Sequence, residues 1–148
     1  MENCIFCKIV KEEIPSVKIW EDENHIAILD KFPNTEGMTV VITKKHFDSD
    51  ATDMPDGDYK DLMIAAKRVT KILEKKLGVK RVAMIMEGLG VNHVHIKLYP
   101  IYGLDKKFSE KWADNKVYFN TYEGYISTQI GPEKTIEELN KIAEKIRK

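Results

Sequence analysis

Apolar residues in this chain recur with two different periods, and the change from one to the other divides it into elements. Along 92–100 the alternation is strict. His93, His95, Lys97 and Tyr99 fall on one side and Val94, Ile96 and Leu98 on the other, because side chains in a strand change face at every residue. Residues 17–21, 25–30, 37–43, 81–87 and 91–99 read as five strands. The polar turn Glu21-Asp22-Glu23-Asn24 joins the first two, and Gly88-Leu89-Gly90 joins the last two as antiparallel neighbours. Between about 58 and 77 the spacing becomes three and four, through Leu62, Ala65, Ala66, Val69, Ile72, Leu73 and Leu77, with Gly78 where a left-handed cap is expected. A last helix carries Ile136, Leu139, Ile142, Ala143 and Ile146 on one face. It begins either at Gly131-Pro132 or at Thr135, which has Glu138 three residues on, and it ends among Lys141, Lys145, Arg147 and Lys148. The order β-β-β-α-β-β predicts an α+β fold: one antiparallel five-stranded sheet with a long helix and a C-terminal helix, the helices on one face.

A length of 148 residues suits a single domain, 1–148. Lys plus Arg and Asp plus Glu both number 24, so bulk charge gives no reason to bind nucleic acid or a membrane surface, and any polyanion site must be local. Glu2 lies in the first ten residues and no long uncharged apolar run follows, so the expectation is a cytoplasmic protein with no signal peptide or membrane span.

The polar row His93, His95, Lys97 is where chemistry can reside. Its members stand about 7 Å apart along a strand, and imidazole is substantially neutral near pH 7, ready to act as nucleophile, proton carrier or metal ligand. An ordinary edge strand with a wet face would look the same. What distinguishes this one is Glu87-Gly88-Leu89-Gly90 just before it, where two glycines let backbone N–H groups converge on an anion. Both cysteines sit in Cys4-Ile5-Phe6-Cys7. In a reducing compartment that spacing suits a metal clip or a redox pair, although no βαβ pattern supports the redox reading and two buried thiols are an equal alternative. Asp30 closes an apolar strand and is explained as a turn cap. His25, at a strand start with no evident partner, reads as a surface histidine. Tyr118, Phe119, Tyr122, Tyr125 and Trp112 suggest a small satellite core or a cover for the site.

The stretch His93-Val94-His95-Ile96-Lys97-Leu98-Tyr99 resembles the histidine triad (HIT) superfamily of nucleotide hydrolases and transferases, whose pattern is His-φ-His-φ-His-φ-φ with φ apolar. It matches at every position except the third histidine, which is Lys97. Further likeness lies in Cys4 to Val10, Ile14-Pro15-Ser16, Trp20 to Glu23, Ile28-Leu29-Asp30 and Val40 to His46, so the resemblance covers a core of about 3–101 and leaves an extension of about 102–148.

That resemblance implies a HIT-like fold and nucleotidyl transfer in which His95 attacks the α-phosphorus of a nucleotide, with Lys97 and backbone N–H groups near Gly88 and Gly90 around the phosphate. It also implies a base pocket from Phe6, Ile9 and Ile28, a ribose contact from Asp30, and a structural zinc held by Cys4, Cys7, His46 and His93, with no organic cofactor. A homodimer through the long helix and the strand after it is implied as well. The expected function is hydrolysis or transfer on a dinucleoside polyphosphate such as diadenosine tetraphosphate, or on a nucleoside phosphoramidate. The alternative is a purine-nucleotide-binding regulatory protein with weak or lost catalysis. Two departures favour that alternative: Lys97 itself, and the absence of the Gly-Gln-Ser type loop found in many members.

Overall fold

In the computed structural model, which describes residues 3–104, 116–128 and 131–147, strands β1 (Lys18–Glu21), β2 (His25–Leu29), β3 (Thr39–Thr43), β4 (Arg81–Ile85) and β5 (His95–Ile101) form one antiparallel sheet in the order β1-β2-β3-β5-β4. Glu2, Trp112 and Lys148 lie outside the described residues. The expected α+β architecture with a five-stranded antiparallel sheet is present. Contacts divide the chain into two compact units, Met1–Lys106 and Lys107–Lys148, and the sheet belongs wholly to the first.

Register and alternation fix two faces of the sheet. Val41 pairs with Ile96 and Thr39 with Leu98, so Ala27, Val41, Ile96 and Leu98 point one way. Against them packs α2 (Asp56–Leu77), which buries Leu62, Ala65, Ala66, Val69 and Leu73. Each fully buried Leu or Val there is worth about 1.5–3 kcal/mol. Gly78 ends the helix at φ +69°, the left-handed cap expected. The helix begins two residues earlier than its apolar stripe implied, because Asp56 and Asp58 favour the first turn, where the helix dipole is positive.

The opposite face carries Ile26, Ile28, Val40 and Ile42, and the polar row of β5. A short helix absent from the sequence expectation, α1 (Ile5–Val10), lays Phe6, Ile9 and Val10 on that cluster. Helices therefore lie on both faces of the sheet. At six residues α1 is too short to show a helical period, and its N-cap is Cys4, whose Sγ accepts from the Cys7 N–H at 3.5 Å.

Two further expectations are corrected. The last strand begins at His95, not 91, because the Val94 N–H donates to the Phe47 carbonyl (3.0 Å) and the His93 N–H to Val91 (2.8 Å) instead of joining the ladder. His25 is buried, 3% exposed, with its Nδ1 at 3.0 Å from Asp22 Oδ1. The Asp22 carboxylate folds back over its own turn, also accepting the N–H groups of Asn24 and His25.

In the second unit, α3 (Ile136–Arg147) starts at the Thr135 cap and not at Pro132. Glu138 N–H donates to Thr135 Oγ1 (3.2 Å), and Thr135 N–H donates back to Glu138 Oε2 (2.8 Å). Tyr118, Phe119, Tyr122 and Tyr125 are exposed, so among the described residues the satellite core does not form; Phe119 and Tyr125 meet edge to face at 5.5 Å. No helix among the described residues is long and apolar enough to cross a membrane.

Candidate functional site

Four side chains from three stretches of chain converge where α1 meets the start of β5. Cys4 Sγ lies 3.4 Å from His93 Nδ1, Cys7 Sγ lies 3.3 Å from His46 Nδ1 and 3.5 Å from His93 Nδ1, and the two Nδ1 atoms are 3.3 Å apart. All four ligand atoms fall within 4.8 Å of one another, a grouping that could hold a metal ion. A tetrahedral zinc with its usual bond lengths would separate its donors by about 3.4 Å (N to N) and about 3.6 Å (S to N). The spacing matches a zinc-sized ion, and two thiols with two imidazoles are a closed structural donor set. The tautomer is arranged for it. His93 Nε2–H donates to the Thr43 carbonyl at 2.8 Å, which leaves Nδ1 bare and facing the sulfurs.

The same packing disfavours charge without a cation. Burial, aided by His46 and His95 and opposed by the Thr43 carbonyl, pushes the His93 imidazole down to about 4, so it is neutral at pH 7. Burial pushes the Cys7 thiol up, and Cys4 beside it adds to the shift. A metal ion would reverse that thiol penalty.

Two residues on, where β5 begins, the arrangement is different. His95, 3% exposed, donates from Nδ1 to the His93 carbonyl at 2.7 Å, and Nε2 has no hydrogen-bond partner among the described residues. The Phe6 ring meets it edge to face, with the two ring centroids 5.2 Å apart. An imidazole fixed as this tautomer presents a lone pair in a fixed direction, the requirement for a nitrogen nucleophile. The wet face allowed for in the sequence is instead largely buried at both histidines.

Lys97 follows on the same face, as alternation required, and its Nζ is ion-paired with Glu87. Burial alone would lower this ammonium, but the hydrogen bond and charge of Glu87, with Tyr99 and Asp30 farther off, outweigh it and hold the group above its ordinary range. Sequence reasoning passed over Glu87, although the register gives it. Ile85 pairs with Lys97, so Glu87, two residues on, shares that face. Sequence reasoning also passed over Thr43, which acts through its backbone carbonyl, and Asn92, which ties the approach to β5 onto Asp48 and Ser49.

Gly88 and Gly90 both have positive φ, +67° and +89°. A Cβ on Gly88 would stand 2.7 Å from the Ser49 carbonyl, so no larger residue fits this turn without a shift. Asp30 does cap its turn, accepting the Phe32 N–H at 2.7 Å through Oδ1. Phe6, Ile9 and Ile28 share one apolar cluster. Of the three, only Ile9 lines the neighbouring cavity of about 190 Å³, together with Val10, Ile14, Pro15 and Ile26.

The HIT domain model matches residues 11–102. The chain belongs to the HIT family. Its relatives include adenosine 5'-monophosphoramidase HNT1 of Saccharomyces cerevisiae, 40% identical over 100 residues that span 66% of this chain and 61% of the yeast protein. Among solved structures, SMU.412c of Streptococcus mutans UA159 superposes with a TM-score of 0.72 at 30% identity, covering 99% of this HIT chain and 85% of the other. A Zn-bound histidine triad family protein of Mycobacterium smegmatis gives 0.62 at 30% identity, with 77% and 85% covered.

Proposed function

We propose that this HIT protein is a nucleotide hydrolase or nucleotidyl transferase acting at the α-phosphate of a dinucleoside polyphosphate or a nucleoside phosphoramidate, through a nucleotide carried on His95. The observation that carries the reading is the Nδ1–H bond of His95 to the His93 carbonyl, which leaves Nε2 bare on a ring that Phe6 meets edge to face. Nε2 would bond to phosphorus as the leaving group departs, and water or another acceptor would then take the nucleotide. The Lys97 ammonium and the N–H groups of the Gly88 to Gly90 turn would stabilise the charge that develops on the phosphate oxygens. Asp30 would hold the ribose, and Phe6, Ile9 and Ile28 the base. A hydrolase role agrees with the yeast relative's name.

Zinc is the metal proposed for Cys4, Cys7, His46 and His93. With four protein ligands it has no open position, so its contribution is to pin α1 to the start of β5 rather than to activate water. The homodimer would use α2 and β4, where Ile64 and Met84 stand exposed. Sedimentation tests it.

The deciding experiment is intact-protein mass after brief incubation with diadenosine tetraphosphate or adenosine phosphoramidate and an acid-free quench, comparing the native chain with His95→Ala. A nucleotidyl adduct on the native protein alone is the expected result. Measurable AMP binding with neither adduct nor turnover would favour the second reading, a regulatory purine-nucleotide-binding protein. The feature that recommends that reading is the engagement of Lys97 by Glu87.

A further inference from the structure

Where the family pattern has a third histidine, this chain has a lysine whose ammonium is paired with a carboxylate from the neighbouring strand end. An imidazole there can donate a proton near neutrality and take it back. A lysine held by Glu87 offers a fixed positive charge and gives up its proton only in strong alkali. The groups facing it are Glu87 after β4, His95 and Tyr99 on β5, and Asp30 after β2; among the described residues none of these is a second lysine or arginine that would force the proton off.

We infer that Lys97, positioned by Glu87, restricts this site to leaving groups that depart as stable anions, so that it cleaves a phosphoanhydride and spares the phosphorus–nitrogen bond of a phosphoramidate. The inference rests on the nucleotidyl-transfer reading above and narrows its substrate class. With an anhydride, the lone pair of His95 Nε2 forms a bond to the α-phosphorus while the bridging P–O bond breaks. The electron pair stays on the departing oxygen, now part of a terminal phosphate whose last proton titrates near 6. No proton donor is needed, and the fixed ammonium neutralises the new charge. Water then forms the new O–P bond as the N–P bond breaks, the electron pair returns to Nε2, and one proton passes to solvent. With a phosphoramidate the departing nitrogen must gain a proton as its bond to phosphorus breaks, because an amide anion does not leave in water. A missing general acid costs about a hundredfold or more.

The test compares kcat/KM on diadenosine tetraphosphate and on adenosine 5'-phosphoramidate for the native protein, Lys97→His, Glu87→Gln and Glu87→Asp, with adduct mass followed for both substrates. The native protein should prefer the anhydride by about a hundredfold. Lys97→His should shift that ratio toward the phosphoramidate by at least about tenfold and give the phosphoramidate rate a limb near pH 6.5. Anhydride cleavage needs the ammonium charged, so its rate falls as pH rises through the Lys97 pKa. Glu87→Gln removes the group that raises this pKa and moves the alkaline limb downward, and Glu87→Asp restores it. Adducts on His95 with near-equal rates for the two substrates, or an unchanged ratio in Lys97→His, would overturn the leaving-group inference and leave nucleotidyl transfer standing. An alkaline limb that does not move in Glu87→Gln would remove Glu87 from it. No adduct from either substrate would overturn both readings.

Discussion

His93 and His95 are two residues apart, both buried, and each has one ring nitrogen bonded to a backbone carbonyl, yet they leave opposite nitrogens free. His93 gives its Nε2–H to Thr43 and turns Nδ1 toward two sulfurs and a second imidazole. His95 gives its Nδ1–H to His93 and keeps Nε2 bare. The side chains are identical, so under the proposed function the choice of nitrogen decides which ring would hold a metal and which would attack phosphorus. That choice is made by which carbonyl stands nearby. Residue 93 lies before the ladder, against the end of β3, whereas residue 95 is the first residue of β5.

The largest effect expected from this comparison is a double dissociation. His95→Ala should cut turnover by at least about a thousandfold, since the proposed nucleophile is gone, and leave bound metal at the native level. His93→Ala should do the reverse, because the carbonyl that orients His95 is main chain and survives the substitution. Metal content should fall to background while the folded fraction still forms the nucleotidyl adduct. Elemental analysis beside intact mass reads both. An adduct lost from His93→Ala protein that is still folded would break the distinction.

Metal removal comes next. Chelation should lower the unfolding free energy by about 3–4 kcal/mol, the linkage expected for an ion present at some hundreds to a thousand times its dissociation constant. Thermal melts with and without chelator measure it, and re-addition of zinc should restore the loss. An unchanged melt would mean that the four donors pack without an ion.

The pH dependence of the stripped protein sharpens the same point. The folded-state pKa of His93, about 4, lies below its ordinary value of 6.5, so the unfolded chain binds more protons between them. The stability due to a neutral His93 is therefore fully present above pH 6.5 and is lost as pH falls toward 4, by up to about 3 kcal/mol. Urea midpoints at pH 7.5, 5.5 and 4.5, compared with His93→Ala, isolate this contribution. A stripped protein as stable at pH 4.5 as at 7.5 would contradict it.

What the sequence could and could not reveal follows the range of each interaction. Alternation on β5 and the three-and-four stripe of α2 are local, and both were legible, as were the Gly78 cap and the α+β class. The candidate metal quartet is legible only through family likeness, since spacings of 39 and 86 residues between Cys7 and its histidine neighbours carry no local signal. The burial of His25 had a local cue that was missed, the carboxylate of Asp22 three residues before it. Glu87 required cross-strand register, which a hairpin reading with a different loop length does not supply. α1 was illegible because its hold on the sheet comes from tertiary packing of Phe6, Ile9 and Val10, not from helical period.

Phe6 touches both halves of the comparison and gives its smallest test. The ring stands edge-on to His95 at 5.2 Å and to His93 at 5.9 Å, while its other contacts lie in the apolar cluster of Ile26, Ile28, Val40 and Ile42. Leucine at this position keeps most of the apolar volume and loses the edge contacts, worth about 0.5–1.5 kcal/mol beyond area. Phe6→Leu should therefore lower stability by about 1 kcal/mol. It should retain metal, because the four donors and the Thr43 bond are untouched. If Phe6 also meets the base, KM for nucleotide should rise with little change in kcat, since contact with a bound base is uniform between ground and transition states. A fall in kcat at constant KM would instead assign the ring to holding His95, and would place the packing that fixes the tautomer of the nucleophile in α1 as well as in the His93 carbonyl.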